Sequence, residues 1–317
     1  ESSGSSLILP LHHLFLKRAI ASQRRPRQRC SMSKTRTRFA PSPTGYLHLG
    51  HVHSALVARK MADENNFILR IEDIDAARCR PEFETAIIED LSWLGLDWQT
   101  PVRRQSEHMD DYQTELSRLK DMGLIYPCFC TRKEIQEEIA AAGNAPHAAP
   151  NGPDGFLYPG TCRHKDPMEG KDKLDAGILH AVRLKTDKAM ERVGPLNWVD
   201  LEAGKQSARP EIFGDVILAR KDTPSSYHLA TTIDDAIQKI TLVTRGSDLF
   251  DATHVHCLLQ ALLDLPSPEY QHHRLIMGPD NKRLAKRAGA STLRQLREEG
   301  KTPDDVRTLA GFENNQY

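Results

Sequence analysis

Two histidines three residues apart, His48 and His51, follow a proline-rich turn in the stretch 38–51, which reads RFAPSPTGYLHLGH. Imidazole N–H groups, together with the free backbone N–H groups of a first helical turn, are donors that suit phosphate oxygens. Gly50, between the histidines, lets a base or a ribose approach the backbone closely. This spacing indicates nucleotide chemistry, although the His-Leu-Gly-His tetrad by itself would equally suit a structural turn with a satisfied histidine pair.

Four polar side chains fall at the ends of predicted strands: Arg38, Glu72, Arg245 and Tyr227. A ligand with two carboxylates and an ammonium group needs at least one arginine fork and one carboxylate in its pocket. The pattern therefore favours an amino-acid site of the glutamate type. The alternatives are ordinary salt bridges for Glu72 and Arg245 and a core phenol for Tyr227.

A group of thiols forms a third candidate site. Cys128 and Cys130 are joined further along the chain by Cys162, with Tyr158 four residues before it. Three thiolates and one oxygen can complete a tetrahedral zinc site, although a phenolate is an unusual ligand. His164 is a competing ligand, and three reduced cysteines without a metal are the simpler alternative. Six cysteines in 317 residues suggest a reduced compartment and a metal site.

The elements that must position these residues form an α/β pattern. Strands are predicted at 37–40 and 67–71, and helices at 51–62, from Pro81, and from a Ser106 cap to Gly123. Alternation of strand and helix is typical of a parallel sheet. The pattern resumes later with strands at 216–219 and 240–244, helices from Tyr227 and from Ala252, and terminal helices at 291–299 and 303–310.

Between these two stretches the pattern changes. A charged helix at 132–142 precedes a loop rich in Ala, Pro, Gly and Asn at 141–155 and then weakly patterned polar sequence. We interpret 128–204 as an inserted α+β subdomain that carries the thiols. The catalytic domain is then predicted to comprise 34–127 and 205–317.

The charge distribution separates a leader, 1–33, from the fold. Lys plus Arg equal Asp plus Glu at 43 each, so no global charge recruits nucleic acid, yet no acidic residue lies between Glu1 and Asp63. The leader is expected to be a disordered tail, or sequence upstream of a natural start at Met32; an Arg-rich transit peptide is the alternative. If the leader is incidental, a cytoplasmic enzyme of the bacterial type is expected. No stretch approaches the length of a membrane span, so no membrane partner is expected.

Taken together, the motifs resemble the class I aminoacyl-tRNA synthetases. The stretch 38–51 resembles their HIGH signature in its glutamyl form, and 70–75 (RIEDID) follows at the end of the next strand. The run 280–287 (DNKRLAKR) resembles the KMSKS loop, whose lysines neutralise charge as pyrophosphate leaves. Two departures are Ala285, where the pattern has Ser, and Arg283, where it has Lys; Lys286 is retained.

The resemblance implies a Rossmann-like catalytic domain that uses ATP with Mg²⁺ and binds L-glutamate. It assigns catalytic roles to His48, His51 and Lys286. It assigns the ATP site to His48, Gly50, His51, Arg283, Leu284 and Lys286. The glutamate site is assigned to Arg38, Phe39, Ala40, Pro41, Ser42, Glu72, Tyr227 and Arg245, and one structural Zn²⁺ to Cys128, Cys130, Tyr158 and Cys162.

The number of residues after the run 280–287 indicates which RNA group accepts the glutamate. Only 30 residues follow Arg287, which is too few for the anticodon-binding domain of a glutamyl-tRNA synthetase. The chain thus resembles the shortened glutamyl-queuosine tRNA(Asp) synthetases, which implies transfer of glutamate to the queuosine cyclopentenediol of tRNA(Asp) by a monomer. Arg132, Lys133 and Arg163 are candidate RNA contacts. A truncated synthetase that charges tRNA 3′ ends, a silent RNA-binding paralogue and a generic nucleotidyltransferase are the alternatives.

Overall fold

A five-residue strand (FILRI) and a three-residue strand (TRF), each buried along its whole length, build a parallel sheet in the first part of the chain. The computed structural model describes residues 34–143, 151–276 and 291–312. Its strands are β1 (Thr37–Phe39), β2 (Phe67–Ile71), β3 (Gln99–Arg104), β4 (Ile125–Cys128), β5 (Asn151–Gly152), β6 (Gly155–Phe156), β7 (Ala181–Leu184), β8 (Asn197–Asp200), β9 (Gly204–Ser207), β10 (Ile217–Ala219), β11 (Leu242–Gly246) and β12 (Glu269–His273). Its helices are α1 (Leu49–Met61), α2 (Pro81–Trp93), α3 (Met109–Asp121), α4 (Arg132–Gly143), α5 (Pro167–Asp175), α6 (Thr186–Val193), α7 (Tyr227–Ile237), α8 (Ala252–Leu262), α9 (Leu293–Glu298) and α10 (Pro303–Leu309).

The central sheet joins strands from both ends of the chain. β1, β2 and β3 are parallel neighbours, and so are β11, β12 and β8, with β9 antiparallel at the edge. The backbone N–H groups of Thr241 and Leu242 donate to the Arg36 carbonyl at 3.0 and 3.2 Å, which places β11 beside β1. The order β3-β2-β1-β11-β12 reverses at β1, and such a switch point opens a crevice at the carboxyl ends of the strands. The predicted parallel Rossmann-like fold is confirmed.

Helix ends follow the sequence signals. Pro81 occupies the first turn of α2, where its missing N–H costs nothing. Thr292 and Thr302 each form a reciprocal capping box, with Gln295 and Asp305 respectively, and so begin α9 and α10 close to where the sequence predicts them. The predicted Ser106 cap is wrong: α3 begins at Met109, and the Ser106 N–H and hydroxyl bind the Asp73 carboxylate at 2.8 and 2.5 Å.

The core packs the strands of the central sheet against helices from distant parts of the chain. One buried cluster joins β1 and β2 to α1, α2, α9 and α10, so the last helices contribute to the same core as the first strands. A second cluster joins α3, α6, α7 and α8 to β10. Burial of this kind stabilises the sheet edge from which the cleft residues project.

The segment 128–204 contains more regular structure than its polar sequence suggests. β4, β7 and β10 form an antiparallel sheet, whereas β8 pairs with β12 of the central sheet. β8 and β9, at the end of the predicted insertion, therefore extend the central sheet. The predicted domain boundaries at 127 and 205 stay a prediction. None of the described helices is long and apolar enough to cross a membrane.

Candidate active site

A cleft of about 310 Å³ opens where β1 and β11 end side by side. It brings together residues separated by up to three quarters of the chain, from Arg38 to Ile276. Its lining includes every residue that the sequence analysis assigned to glutamate, namely Arg38, Phe39, Ala40, Pro41, Ser42, Glu72, Tyr227 and Arg245, and also His48, Gly50 and His51 of the phosphate motif. The structure thus gathers these two predicted residue sets around one space.

The two histidines cap helix α1. His48 Nδ1 accepts from the Gly50 N–H at 3.1 Å, and His51 Nδ1 accepts from the His48 N–H at 3.2 Å. Their rings lie 3.8 Å apart between centroids. Because Nδ1 of each ring is an acceptor, the ring proton of the neutral form lies at Nε2, which makes that nitrogen a donor. A pair of such donors at a helix N-terminus suits an anionic group.

Arg38, at the end of β1, belongs to a buried arginine–carboxylate cluster. Its Nε and Nη2 donate to the two Asp235 oxygens at 3.0 and 3.4 Å, and Arg70 donates to Asp235 at 2.8 Å. Asp234 binds Arg103 Nε at 2.7 Å and also accepts from buried neighbours. Burial raises the pKa of Asp235, but the guanidinium groups of Arg38 and Arg70 together lower it by more than burial raises it. The pKa of Asp235 therefore lies below its ordinary range.

Glu72 joins this cluster to the cleft. One of its oxygens accepts from Arg70 Nη2 at 3.3 Å and from the Thr231 hydroxyl at 3.1 Å. Burial raises the pKa of Glu72, and the charges of Arg70 and Arg38 offset part of that effect. The carboxylate therefore borders the cleft beside a largely compensated charge cluster.

Arg245, on β11, has different surroundings. It is 6% exposed. Its Nε donates to His272 Nε2 at 3.1 Å, its Nη1 to the Tyr227 hydroxyl at 3.1 Å and His256 Nδ1 at 3.2 Å, and its Nη2 to the Thr253 hydroxyl at 2.5 Å. Within the residues that the structure describes, Arg245 contacts no carboxylate. Its charge is buried and hydrogen-bonded but not compensated.

Gly246 lets this strand end pass close to its neighbours. A Cβ atom at this position would lie 2.5 Å from Asp248 Oδ1 and 2.8 Å from Leu275 Cδ2, both shorter than real Cβ contacts. A side chain here would require the Asp248 carboxylate and the Leu275 side chain to move. The glycine in the RGSDL segment therefore serves close packing beside Arg245.

A second cleft, of about 320 Å³, adjoins the first and shares Ser42, Thr44, Glu72 and Tyr227 with it. Charged residues of both signs line it: Asp75, Arg78, Arg132 and Arg220. Of the candidate RNA contacts, Arg132 lies here. Lys133 is exposed beside Glu137, and Arg163 is bound to Asp187 and Asp215.

The predicted metal ligands form one cluster. The Sγ atoms of Cys128, Cys130 and Cys162 all lie within 4.8 Å of one another. The Tyr158 hydroxyl is 3.5 Å from both Cys128 Sγ and Cys130 Sγ. Thiolates on a tetrahedral zinc ion lie about 3.8 Å apart, so three sulfurs and one oxygen at this spacing fit zinc. His164 is not part of the cluster, which favours Tyr158 as the fourth ligand.

The electrostatics of the thiol cluster are set by its internal hydrogen bonds. Burial raises the pKa of Cys162, but bonds from Tyr158 and Cys130 lower it to about 7. Burial raises the pKa of Cys130 to about 11. The Arg183 guanidinium lies 3.8 Å from the Tyr158 ring centroid and holds that ring in place.

Several predicted residues lie outside the described part of the chain. These are Arg283, Leu284, Ala285 and Lys286 of the basic run and the whole leader 1–33. Their roles stay predictions.

The sequence analysis missed the residues that hold the arginines. These are Asp234, Asp235, Thr253, His256 and His272, together with Asp200, which holds His272. A signal was present in two places: two adjacent aspartates in a predicted helix that has no other acidic residue, and histidine pairs at 254–256 and 272–273 inside buried elements. Buried polar residues of this kind need partners, and here those partners are in the cleft.

Comparison with known proteins gives consistent matches. The family model of class I tRNA synthetases (E and Q), catalytic domain, matches residues 34–311. A glutamyl-Q tRNA(Asp) synthetase of Rhodobacter capsulatus is 46% identical over 283 residues, which cover 87% of this chain and 99% of the relative. A glutamate-tRNA ligase of Aquifex aeolicus is 39% identical over 275 residues, covering 86% of this chain but only 56% of the ligase.

Among solved structures, a glutamate tRNA ligase from Elizabethkingia meningosepticum in complex with its amino acid superimposes with a TM-score of 0.71 at 30% identity. The match covers 88% of this chain and 60% of that ligase. The chain thus spans somewhat more than half the length of the glutamate ligases and nearly the whole length of the Rhodobacter relative.

Proposed function

The chain belongs to the class I tRNA synthetases of the E and Q type, and on this premise we propose that it activates L-glutamate with ATP and transfers the glutamyl group to queuosine in tRNA(Asp). It is a ligase of the aminoacyl-tRNA synthetase type. In the first step a glutamate carboxylate oxygen attacks the α-phosphorus of ATP and pyrophosphate leaves. In the second step a hydroxyl of the queuosine cyclopentenediol attacks the adenylate carbonyl and AMP leaves.

The observation that carries the glutamate assignment is that Arg245 is buried and contacts no carboxylate among the residues that the structure describes. A buried guanidinium without a carboxylate partner is costly, and a ligand carboxylate would remove that cost. Tyr227, whose hydroxyl accepts from Arg245, and Glu72 border the same cleft and supply an acceptor and a negative charge for the ligand ammonium. Glutamate offers the matching groups.

The ATP assignment rests on the N-terminus of α1. Nε2 donors on His48 and His51 suit phosphate oxygens, and Gly50 leaves room for the nucleotide at the backbone. We propose that Lys286 and Arg283, with Leu284 beside them and Mg²⁺ on the phosphates, neutralise charge on the leaving pyrophosphate. No side chain is needed as a covalent nucleophile, so catalysis rests on positioning and charge stabilisation.

The assignment of the acceptor is supported by the Rhodobacter relative, which is named for glutamyl-Q tRNA(Asp) and is matched over 99% of its length. The second cleft adds support, because it shares four lining residues with the first and has charges of both signs for a polar nucleoside. An acceptor hydroxyl there would lie next to the activated glutamate.

The experiment uses labelled glutamate, ATP and two unfractionated tRNA pools, one from cells that make queuosine and one from cells that do not. We expect label on tRNA(Asp) of the first pool only, including when its 3′ end is blocked. Equal labelling of both pools that is abolished by blocking the 3′ end would instead identify an enzyme that charges tRNA 3′ ends. Absence of label together with absence of glutamate-dependent ATP–pyrophosphate exchange would contradict the activation step as well.

We also propose that Cys128, Cys130, Tyr158 and Cys162 hold one structural Zn²⁺ that ties the end of β4 to the loop after β6. We expect about one zinc per purified chain, measured by elemental analysis, and much less than one in Cys130→Ser. Cys79→Ser is the control, since Cys79 lies outside the cluster. Equal metal content in the two variants would contradict the site.

The monomeric state and the cytoplasmic location expected from the sequence stay predictions.

A further inference from the structure

Two buried histidines hold Arg245, and each is itself held in one tautomer. His272 Nδ1 lies 2.8 Å from Asp200 Oδ2, and a carboxylate can only accept, so the ring proton is on Nδ1. The opposite nitrogen, Nε2, therefore presents a lone pair to Arg245 Nε at 3.1 Å. Asp200 is fixed in turn by the backbone N–H groups of Glu202, Ala203 and His272.

The imidazole of His272 thus stands between Arg245 and the nearest carboxylate on that side. Asp200 orients the ring without touching the guanidinium, and its charge is already engaged by three backbone donors. Burial, followed by the charge of Arg245, lowers the pKa of His272 to about 4, although Asp200 opposes this effect. The ring is accordingly neutral at physiological pH.

His256 repeats the arrangement on the other side. Its Nδ1 accepts from Arg245 Nη1 at 3.2 Å, so its proton lies on Nε2, which is 3.2 Å from His228 Nδ1. Nε2 of His228 is 3.8 Å from Asp154 Oδ2, so on this side, too, the carboxylate is kept away from Arg245. Burial and then the charge of Arg245 keep the pKa of His256 well below its ordinary value.

We propose that His256 and His272 are positioning residues that orient Arg245 through neutral acceptors, so that its charge is kept for a substrate carboxylate. This inference rests on the proposed function. The physical reason for histidine is that an aspartate or glutamate in either place would orient the guanidinium equally well but would also neutralise it. Arg38, which has a carboxylate partner of its own, lacks this property.

The experiment exploits pairs of isosteric substitutions that differ only in charge. Asn places an oxygen near the Nδ1 position of His256, and Gln places one near the Nε2 position of His272. We therefore compare His256→Asn with His256→Asp and His272→Gln with His272→Glu in glutamate-dependent ATP–pyrophosphate exchange. His256→Leu removes the acceptor. His254→Asn is the control, because His254 is a buried histidine of the same helix whose Nδ1 accepts from Trp198 and which does not contact Arg245.

We expect His256→Asn and His272→Gln to keep the glutamate KM within about threefold of the original chain, and His256→Leu to raise it about tenfold. His256→Asp and His272→Glu should raise it at least 30-fold, with the KM for ATP changed less than twofold. The control should match the original chain. A merely structural role would affect Asn and Asp alike, so equal KM values within both pairs would overturn the inference.

Two outcomes keep this test separate from the proposed function. If the original chain does not exchange pyrophosphate with glutamate, the proposed function fails first. If an acidic variant does not fold, as judged by circular dichroism, the other pair decides, and glutamate-induced thermal shifts of His256→Asn and His256→Leu provide a binding readout. A shift in His256→Leu equal to that of the original chain would overturn the role of His256.

Discussion

Arg38 and Arg245 lie at the ends of adjacent strands, yet their surroundings are opposite. Arg38 belongs to a cluster in which Asp234, Asp235 and Glu72 compensate the arginines. Arg245 is surrounded by His256, His272, Thr253 and Tyr227, all neutral acceptors. Both guanidinium groups are almost completely buried.

Under the proposed function, the charge of Arg245 is available to the ligand carboxylate, whereas the charge of Arg38 is already compensated within the protein. A compensated buried arginine holds elements together, and removal of its partner leaves an unpaired charge. A buried arginine without a carboxylate partner lowers the stability of the free protein. It also contributes more to the free energy of binding an anionic ligand. Burial alone does not distinguish the two cases; the charge of the neighbours does.

The substitution Arg245→Gln tests most directly whether Arg245 binds the substrate. We expect kcat/KM for glutamate to fall by roughly 10²–10³-fold, because a desolvated charge–carboxylate contact is lost. The free energy of unfolding should stay the same or rise, since a buried unpaired charge is removed. Pyrophosphate exchange and urea unfolding measure the two quantities. A large loss of stability would mean that Arg245 is a structural residue.

Asp235→Asn tests the compensated side. Loss of this carboxylate leaves Arg38 and Arg70 without their shared partner, and we expect the free energy of unfolding to fall by about 3–5 kcal/mol. Asp264→Asn, at a position exposed on the surface, should change it by less than about 0.5 kcal/mol. If Asp235→Asn were as stable as this control in urea unfolding, the cluster would not have the stabilising role assigned to it.

The smallest expected effect is on pH dependence. Because the pKa of folded His272 is about 4, well below the ordinary value of 6.5, its contribution to stability is complete above pH 6.5 and is lost as the pH falls from there towards 4. Between pH 8 and pH 6 this loss amounts to about 1 kcal/mol for one such histidine. His272→Gln should therefore show a correspondingly weaker loss of unfolding free energy over this interval. Identical pH slopes for the variant and the original chain would contradict this expectation.

Much of the fold followed from local patterns. β1, β2, α1 and α2 lie where periodicity and the first-turn proline predict them, because short-range packing and capping fix these elements. β3, β7 and the β8–β9 pair were missed. β3, β8 and β9 have polar, partly exposed sequences, whereas β7 is a short and mostly buried strand that contains Arg183. β3, β7 and β8 each pair with a strand distant in the chain. Ser106 shows the same limit, since Asp73 competes with the helix for its hydroxyl.

Residue types at short spacing were enough to predict the family, the set of thiols and the positions of Arg38, Glu72 and Arg245 at strand ends. Tyr227, also expected at a strand end, instead begins helix α7. The electrostatic state of the site was decided only by the tertiary structure. Arg38 meets Asp235 across 197 positions, and Arg245 meets His272 across 27. Hydrogen bonds and ion pairs act only over a few ångströms in space, whatever the separation along the chain. The packing of β1, β11, β12 and α7 therefore decides which buried arginine contacts a carboxylate.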